Sequence, residues 1–323
     1  MLKRPSMFKE AEMLRTPKKV IIQIIIFIAF FLAVALIESA IASVKVYGEI
    51  MDYMSANSIK IGTDEYYKAI NKIELSDSSM ILSLFATLSA TLLTVFYCRC
   101  IECRPVSSVG VRKKGALKKY FSGILIGFVL MSVITGIGYL CGALEASKIS
   151  FNIDYKIFFL YLIGFLIQGM SEEFVFRGYL MNTIGSFKGI PCAIIVSSVA
   201  FSFAHLANPG VSVLAVINLI LFGVFAAVLM IALDDIWCVC GIHSMWNFSQ
   251  GNIYGISVSG TGTGESLIKS DMKDGMAILN GGNFGIEGGI ITSIVLISAT
   301  LLVLYFNNKK QSNVEKQAKN QEL

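Results

Sequence analysis

The sequence contains three short polar groups inside apolar stretches, and their residue types could together carry out amide hydrolysis. They comprise Glu172, Glu173 and Arg177, then His205, then His243 and Asn247. Amide hydrolysis needs a base that deprotonates water, donors that stabilise the oxyanion and an acid that protonates the leaving amine. A glutamate helped by one histidine can activate water, while a second histidine and an asparagine amide can stabilise the oxyanion. These six residues are therefore the candidate catalytic residues.

The two adjacent glutamates are predicted to have different roles. Neighbouring residues on an α-helix point about 100° apart. Glu173 and Arg177 are four residues apart and share a face, which favours a salt bridge between them. Glu172 has no such partner, so we expect it to be the general base and Glu173 to hold Arg177. The alternative is that the three charges only mark the end of a membrane helix.

Both histidines of the chain lie in apolar stretches. Phe201 precedes His205 by one helical turn, and Asn247 follows His243 by one turn. Polar groups within hydrocarbon must face each other or water, so we expect both histidines and Asn247 to converge with Glu172. Depth is a difficulty, because His205 lies about 21 Å from the predicted start of its helix and His243 only about 12 Å from its own.

A metal site is the alternative use of the same residues. His205, His243 and Glu172 could bind zinc, with water as the fourth ligand, as in many metalloproteases. The sequence has no His-Glu-x-x-His helix, so such ligands would come from three separate membrane helices. The residues alone leave glutamate-activated water and zinc-activated water both open.

Composition places the chain among membrane proteins. Of its 323 residues, 55% are hydrophobic and 15% are charged, whereas soluble domains have about a quarter charged residues. Apolar stretches of about 20 residues can cross the bilayer as helices. Eight such stretches occupy residues 20–44, 80–98, 120–144, 157–181, 190–207, 212–233, 236–254 and 287–306. The predicted fold is an all-α polytopic bundle of about eight spans with a polar intramembrane cavity.

The distribution of basic residues predicts the topology. The net charge of +5 comes from lysines and arginines beside the apolar stretches, so membrane orientation explains it better than a nucleic-acid partner. Basic residues are concentrated near both termini and in the loop 99–119. We therefore expect a multi-pass cell-membrane protein with both termini and this loop in the cytoplasm, and with residues 45–79 and 255–286 outside.

The chain divides into three predicted sections. Residues 1–156 form a variable membrane section, residues 157–256 hold the candidate catalytic core, and residues 257–323 hold the rest of a Gly-rich loop, the last span and a tail. We expect the Gly-rich stretch 251–289 to be a long flexible external loop. The segment 45–75 is expected to be an amphipathic surface helix or a solvated loop.

The three polar groups resemble the signature of the CAAX protease and bacteriocin-processing (CPBP/Abi) family of intramembrane peptidases. The family pattern is Glu-Glu-x-x-x-Arg, then Phe-x-x-x-His, then His-x-x-x-Asn, on separate membrane helices. The matching residues are Glu172, Glu173 and Arg177, then Phe201 and His205, then His243 and Asn247. Order and spacing both fit, and the resemblance covers roughly residues 157–256.

The resemblance implies an intramembrane endopeptidase similar to the type II CAAX prenyl endopeptidases. In that family the first glutamate and first histidine are thought to activate water, and the second histidine and the asparagine to hold the oxyanion. The expected partners are the lipid bilayer and a membrane-associated peptide or protein substrate. One alternative is a non-catalytic bacteriocin-immunity or scaffold protein that keeps the motif. Another is a transporter, but the inverted repeats typical of that class are not evident.

Overall fold

The computed structural model describes residues 2–70, 75–262 and 264–321. Most of these residues are helical. The helices are α1 (Ser6–Ala11), α2 (Val20–Ala56), α3 (Asp64–Ile70), α4 (Asp77–Ala86), α5 (Leu88–Phe96), α6 (Ala116–Leu140), α7 (Tyr155–Glu173), α8 (Asn182–Ala204), α9 (Val213–Leu233), α10 (Trp237–Phe248), α11 (Ala277–Asn280) and α12 (Ile290–Gln321). A π-helical segment, Phe174–Met181, joins α7 to α8, and another, Ser249–Ile253, extends α10.

Six helices in the described residues are long and apolar enough to cross a membrane. They are Val20–Ala56, Asp77–Ile101, Ala116–Leu140, Tyr155–Ala204, Val213–Leu233 and Ile290–Gln317. The chain is therefore a multi-pass helical membrane protein, which confirms the predicted fold class. The prediction of about eight spans divided the run Tyr155–Ala204 into two, and Gly189 interrupts this run with a φ of +80°. It also counted α10 with its π-helical extension, which is shorter than the six long helices.

The first membrane helix is longer than the predicted span 20–44. Helix α2 continues to Ala56, so part of the expected surface segment 45–75 is the end of this helix. Glu49 in the extension accepts hydrogen bonds from the Ser76 backbone N–H at 3.1 Å and the Ser79 hydroxyl at 2.7 Å. These bonds tie the end of α2 to the start of α4. Residues 71–74 of the predicted loop lie outside the described residues.

The Gly-rich stretch 251–289 is folded against the bundle rather than forming the plain flexible loop that we expected. Its strand β2 (Ile268–Met272) pairs antiparallel with β1 (Leu144–Ile149), a small sheet that the sequence did not predict. Phe284 and Ile286 in this stretch are completely buried. The glycines permit tight turns against neighbouring backbone, since a Cβ on Gly260 would stand 1.9 Å from the Pro209 carbonyl oxygen.

Helix α10 packs closely between α6 and α7 because glycines line both contacts. On α6, a Cβ added to Gly123 would stand 2.1 Å from the Cys238 carbonyl oxygen of α10. On α7, a Cβ added to Gly169 would stand 2.4 Å from the Ser244 backbone nitrogen of α10. Small residues let helix backbones approach in this way inside membranes. The result is that the polar residues of α7 and α10 lie next to each other.

Residues from all three sections of the sequence share one hydrophobic core. Met131 of α6, Phe176 of the π-helical segment and Leu296 of α12 all belong to it and are almost fully buried. The central section is therefore packed together with the variable section before it and the last span after it.

Candidate active site

Glu173 and Arg177 form a completely buried ion pair. The Arg177 guanidinium donates to Glu173 Oε1 at 3.0 Å, and both side chains are 0% exposed. The guanidinium also lies 4.4 Å from the centre of the Phe201 ring, a cation–π contact. The four-residue spacing produces the pairing that the sequence predicts, although Arg177 lies in the π-helical segment.

Glu173 also binds His243, which the sequence analysis did not foresee. His243 Nδ1 lies 2.8 Å from the same oxygen, Glu173 Oε1. An ionised carboxylate can only accept hydrogen bonds, so the imidazole proton belongs on Nδ1 and the ring turns its Nε2 the other way. The Phe222 ring, at 4.9 Å between ring centres, packs against this imidazole. Glu173 therefore holds Arg177 and orients His243 at once.

Glu172 faces the Nε2 atoms of both histidines. Its Oε2 lies 3.7 Å from His243 Nε2 and 3.9 Å from His205 Nε2. These distances exceed direct hydrogen bonding, and this buried oxygen has no hydrogen-bond partner among the described residues. The Glu172 side chain is 24% exposed, whereas that of Glu173 is 0% exposed. The two adjacent carboxylates thus have different surroundings. Glu172 is open to a cavity, whereas Glu173 is completely buried beside Arg177 and His243.

His205 ends α8 and is fixed by the helix that carries it. Its Nδ1 lies 2.9 Å from the carbonyl oxygen of Phe201, one turn earlier. A carbonyl only accepts hydrogen bonds, so this bond also places the proton on Nδ1 and leaves Nε2 towards Glu172. The Phe201 ring packs against the imidazole, with 4.7 Å between ring centres.

Both histidines reach Glu172 although less helix precedes His243 in α10 than precedes His205 in α8. Ile236, just before α10, donates its backbone N–H to the Gly110 carbonyl at 3.0 Å and packs beside Gly178. The part of α8 that carries His205 begins only after Gly189, where the helix is interrupted. Gly178 and Gly189 are separated by about 16 Å of helix, so the helices that carry the two histidines start at different levels of the bundle.

Asn247 reaches Glu172 through Gln168. Asn247 Nδ2 donates to Gln168 Oε1 at 2.9 Å, and Gln168 Nε2 donates to Glu172 Oε1. Gln168 lies one turn before Glu172 on α7, so the helical spacing was visible in the sequence. Its contact with Asn247 was not, because that contact joins α7 to α10.

One cavity of about 170 Å³ is lined by Gln168, Glu172, His205, His243 and Asn247. Glu173 and Arg177 do not line it. Part of its wall comes from the Gly-rich stretch, where Glu287 accepts hydrogen bonds from the Ser259 backbone N–H and, at 2.8 Å, from the Ser259 hydroxyl. Asn208, just after α8, donates to the Ser259 carbonyl at 2.9 Å. A polar cavity with convergent carboxylate, imidazole and amide groups is typical of an active site.

Comparison with known proteins agrees with this arrangement. Residues 154–249 match the family model described as Type II CAAX prenyl endopeptidase Rce1-like. All six candidate residues lie within the matched stretch. This segment belongs to the CPBP/Abi family. No curated protein matches the chain.

CPBP/Abi membership supports CAAX-type intramembrane endopeptidase activity in general terms, with a peptide or protein substrate in the membrane. The multi-pass helical architecture agrees with such a protease. The family match ends before the Gly-rich stretch, so Glu287 and Ser259 of the cavity wall lie outside the matched residues.

His205, His243 and Glu172 are of the residue types that bind zinc. Among the described residues, however, no group of three or more His, Cys, Asp or Glu side chains has the geometry to hold a metal ion. The metalloprotease alternative is therefore not supported.

Glu38 is a residue near the site that the sequence analysis missed. It lies on α2 and lines a second cavity of about 230 Å³ together with Glu172 and His205. It is the only ionisable residue between positions 20 and 44. A charged residue in a membrane helix is costly, and this argument identified Glu172 as a candidate. The same argument could have identified Glu38 from the sequence.

Proposed function

We propose that the protein is an intramembrane endopeptidase in which Glu172 activates water for attack on a peptide bond. The observation that carries this proposal is the free oxygen of Glu172, which faces two imidazole Nε2 atoms across a cavity. A water between Glu172 Oε2 and His205 Nε2 can donate one hydrogen to each of them, because both are acceptors there. Glu172 takes the proton as the water oxygen bonds to the carbonyl carbon.

His243 and Asn247 would stabilise the oxyanion that forms in this step. With Nδ1–H directed at Glu173, His243 donates from Nε2 only as an imidazolium, and the Glu173 carboxylate stabilises that charge. Asn247 uses one N–H on Gln168 and has a second for the oxyanion. The proton on Glu172 then passes to the leaving nitrogen as the C–N bond breaks. The products are an amine and a carboxylic acid, which keeps the second hydrogen of the water.

Proteomics of membrane fractions tests this function in the cells that make the protein. Cells with the wild type are compared with cells carrying Glu172→Gln or the control Glu315→Gln, whose side chain is 66% exposed in α12. We expect new peptide termini with the wild type and the control, and their loss with Glu172→Gln. If Glu172→Gln gives the same termini as the wild type, the proposal fails and the non-catalytic scaffold is favoured.

A further inference from the structure

Gln168 uses both ends of its side-chain amide on two candidate active-site residues. Its nitrogen donates to Glu172 Oε1, and its oxygen accepts from Asn247 Nδ2 at 2.9 Å. Glu172 is on the same helix, α7, whereas Asn247 is on α10. One side chain thus joins the two helices at the wall of the 170 Å³ cavity, which Gln168 also lines.

The direction of these hydrogen bonds is fixed by chemistry. An ionised carboxylate can only accept, so the NH₂ group of Gln168 must point towards Glu172. Its carbonyl oxygen must then point towards Asn247, which requires the NH₂ group of Asn247 on that side. The orientation of the Asn247 amide therefore follows from the charge on Glu172, although the two residues are not bonded directly.

We propose that Gln168 is a positioning residue that holds the base and the oxyanion donor in one arrangement. This inference rests on the proposed function. The bond from Nε2 fixes one oxygen of Glu172 and leaves the other facing the histidines. The bond from Asn247 to Gln168 Oε1 fixes the orientation of the Asn247 amide. Its second N–H then keeps one direction, in which it can donate to the oxyanion. Neither bond requires Gln168 to touch the substrate.

Kinetics of Gln168→Leu test this role. The assay uses purified protein in detergent and an internally quenched peptide carrying a cleavage site identified by the membrane proteomics. We expect kcat to fall about 100-fold, as for a misplacement of about 1 Å, with KM changed less than about twofold. The matched control is Gln23→Leu. Gln23 is a buried glutamine that donates to Thr16 Oγ1 and the Pro17 carbonyl, and its loss should lower the thermal midpoint but not kcat.

A double-mutant cycle separates positioning from general loss of structure. Asn247→Ala alone should cost about 100- to 1000-fold in kcat. If Gln168 acts partly through Asn247, the loss in the double variant should be clearly smaller than the product of the two single losses. Losses that multiply fully, or a Gln168→Leu variant with wild-type kcat, would overturn the inference alone. Absence of cleavage by the wild type would instead overturn the proposed function.

Discussion

At the scale of single residues, the adjacent glutamates divide the work according to what surrounds them. Glu173 is fully buried between Arg177 and His243, and both contacts use its Oε1. The Glu172 side chain is 24% exposed and turns its Oε2 towards both histidines, whereas that of Glu173 is 0% exposed. The partly exposed carboxylate therefore suits a base that meets water, and the buried one suits a support for the oxyanion histidine.

Replacing Glu173 should reduce both stability and activity. Glu173→Gln leaves Arg177 buried without its anion, and breaking a buried pair in this way costs about 3–5 kcal/mol. It also removes the anion that stabilises a charged His243. We expect a lower thermal midpoint in detergent together with the loss of peptide cleavage.

The control for this prediction is Glu172→Gln. This variant should retain the wild-type thermal midpoint, because the Glu172 carboxylate is partly exposed and forms no ion pair with Arg177. Substantial cleavage by Glu172→Gln, with none by an equally stable Glu173→Gln, would show that the two roles are reversed.

Local spacing predicts some contacts of the site and not others. The Glu173–Arg177 pair follows from two residues four apart on one helix. The contacts of Glu173 with His243 and of Gln168 with Asn247 join α7 to α10, so no spacing within either helix contains them. Glu287 lies where the predicted Gly-rich stretch meets the last predicted span, and no local spacing links it to the site. Its carboxylate lines the cavity after turns at Gly281, Gly282 and Gly285.

At the scale of helices, the site depends on the close approach of α7 and α10. Gly169 lies against the backbone of Ser244, next to His243 on α10. The hydrogen bonds from His243 to Glu173 and from Asn247 to Gln168 cross this same contact. Any side chain at position 169 must push the two helices apart, and the bonds across the contact lengthen as a result.

Gly169→Ala should therefore disrupt the site. Its Cβ would stand 2.4 Å from the Ser244 nitrogen, and overpacking of this kind costs about 1–3 kcal/mol. A displacement of about 1 Å should lower kcat about 100-fold. The matched control is Gly136→Ala in α6, where a Cβ meets nothing within 4 Å. Equal kcat values for the two variants would show that this helix contact does not position the site.

At the scale of the whole molecule, the orientation in the membrane remains a prediction from charge. We expect residues 255–286 outside and the loop 99–119 in the cytoplasm. Asp274 and Lys113 are exposed positions in these two segments. With the exposed cysteines Cys100, Cys103 and Cys141 replaced by serine, Asp274→Cys should react with an impermeant maleimide in intact cells. Lys113→Cys should react only after permeabilisation, and the opposite pattern would invert the topology.

Turnover by the purified protein shows whether Glu172 is the base of a peptidase. The wild type, Glu172→Gln and the exposed control Glu315→Gln are compared on one internally quenched peptide, with thermal midpoints measured in the same detergent. We expect Glu172→Gln to lose at least about 100-fold in kcat at an unchanged midpoint, while Glu315→Gln matches the wild type. Cleavage by a well-folded Glu172→Gln at the wild-type rate would show that Glu172 is not the base.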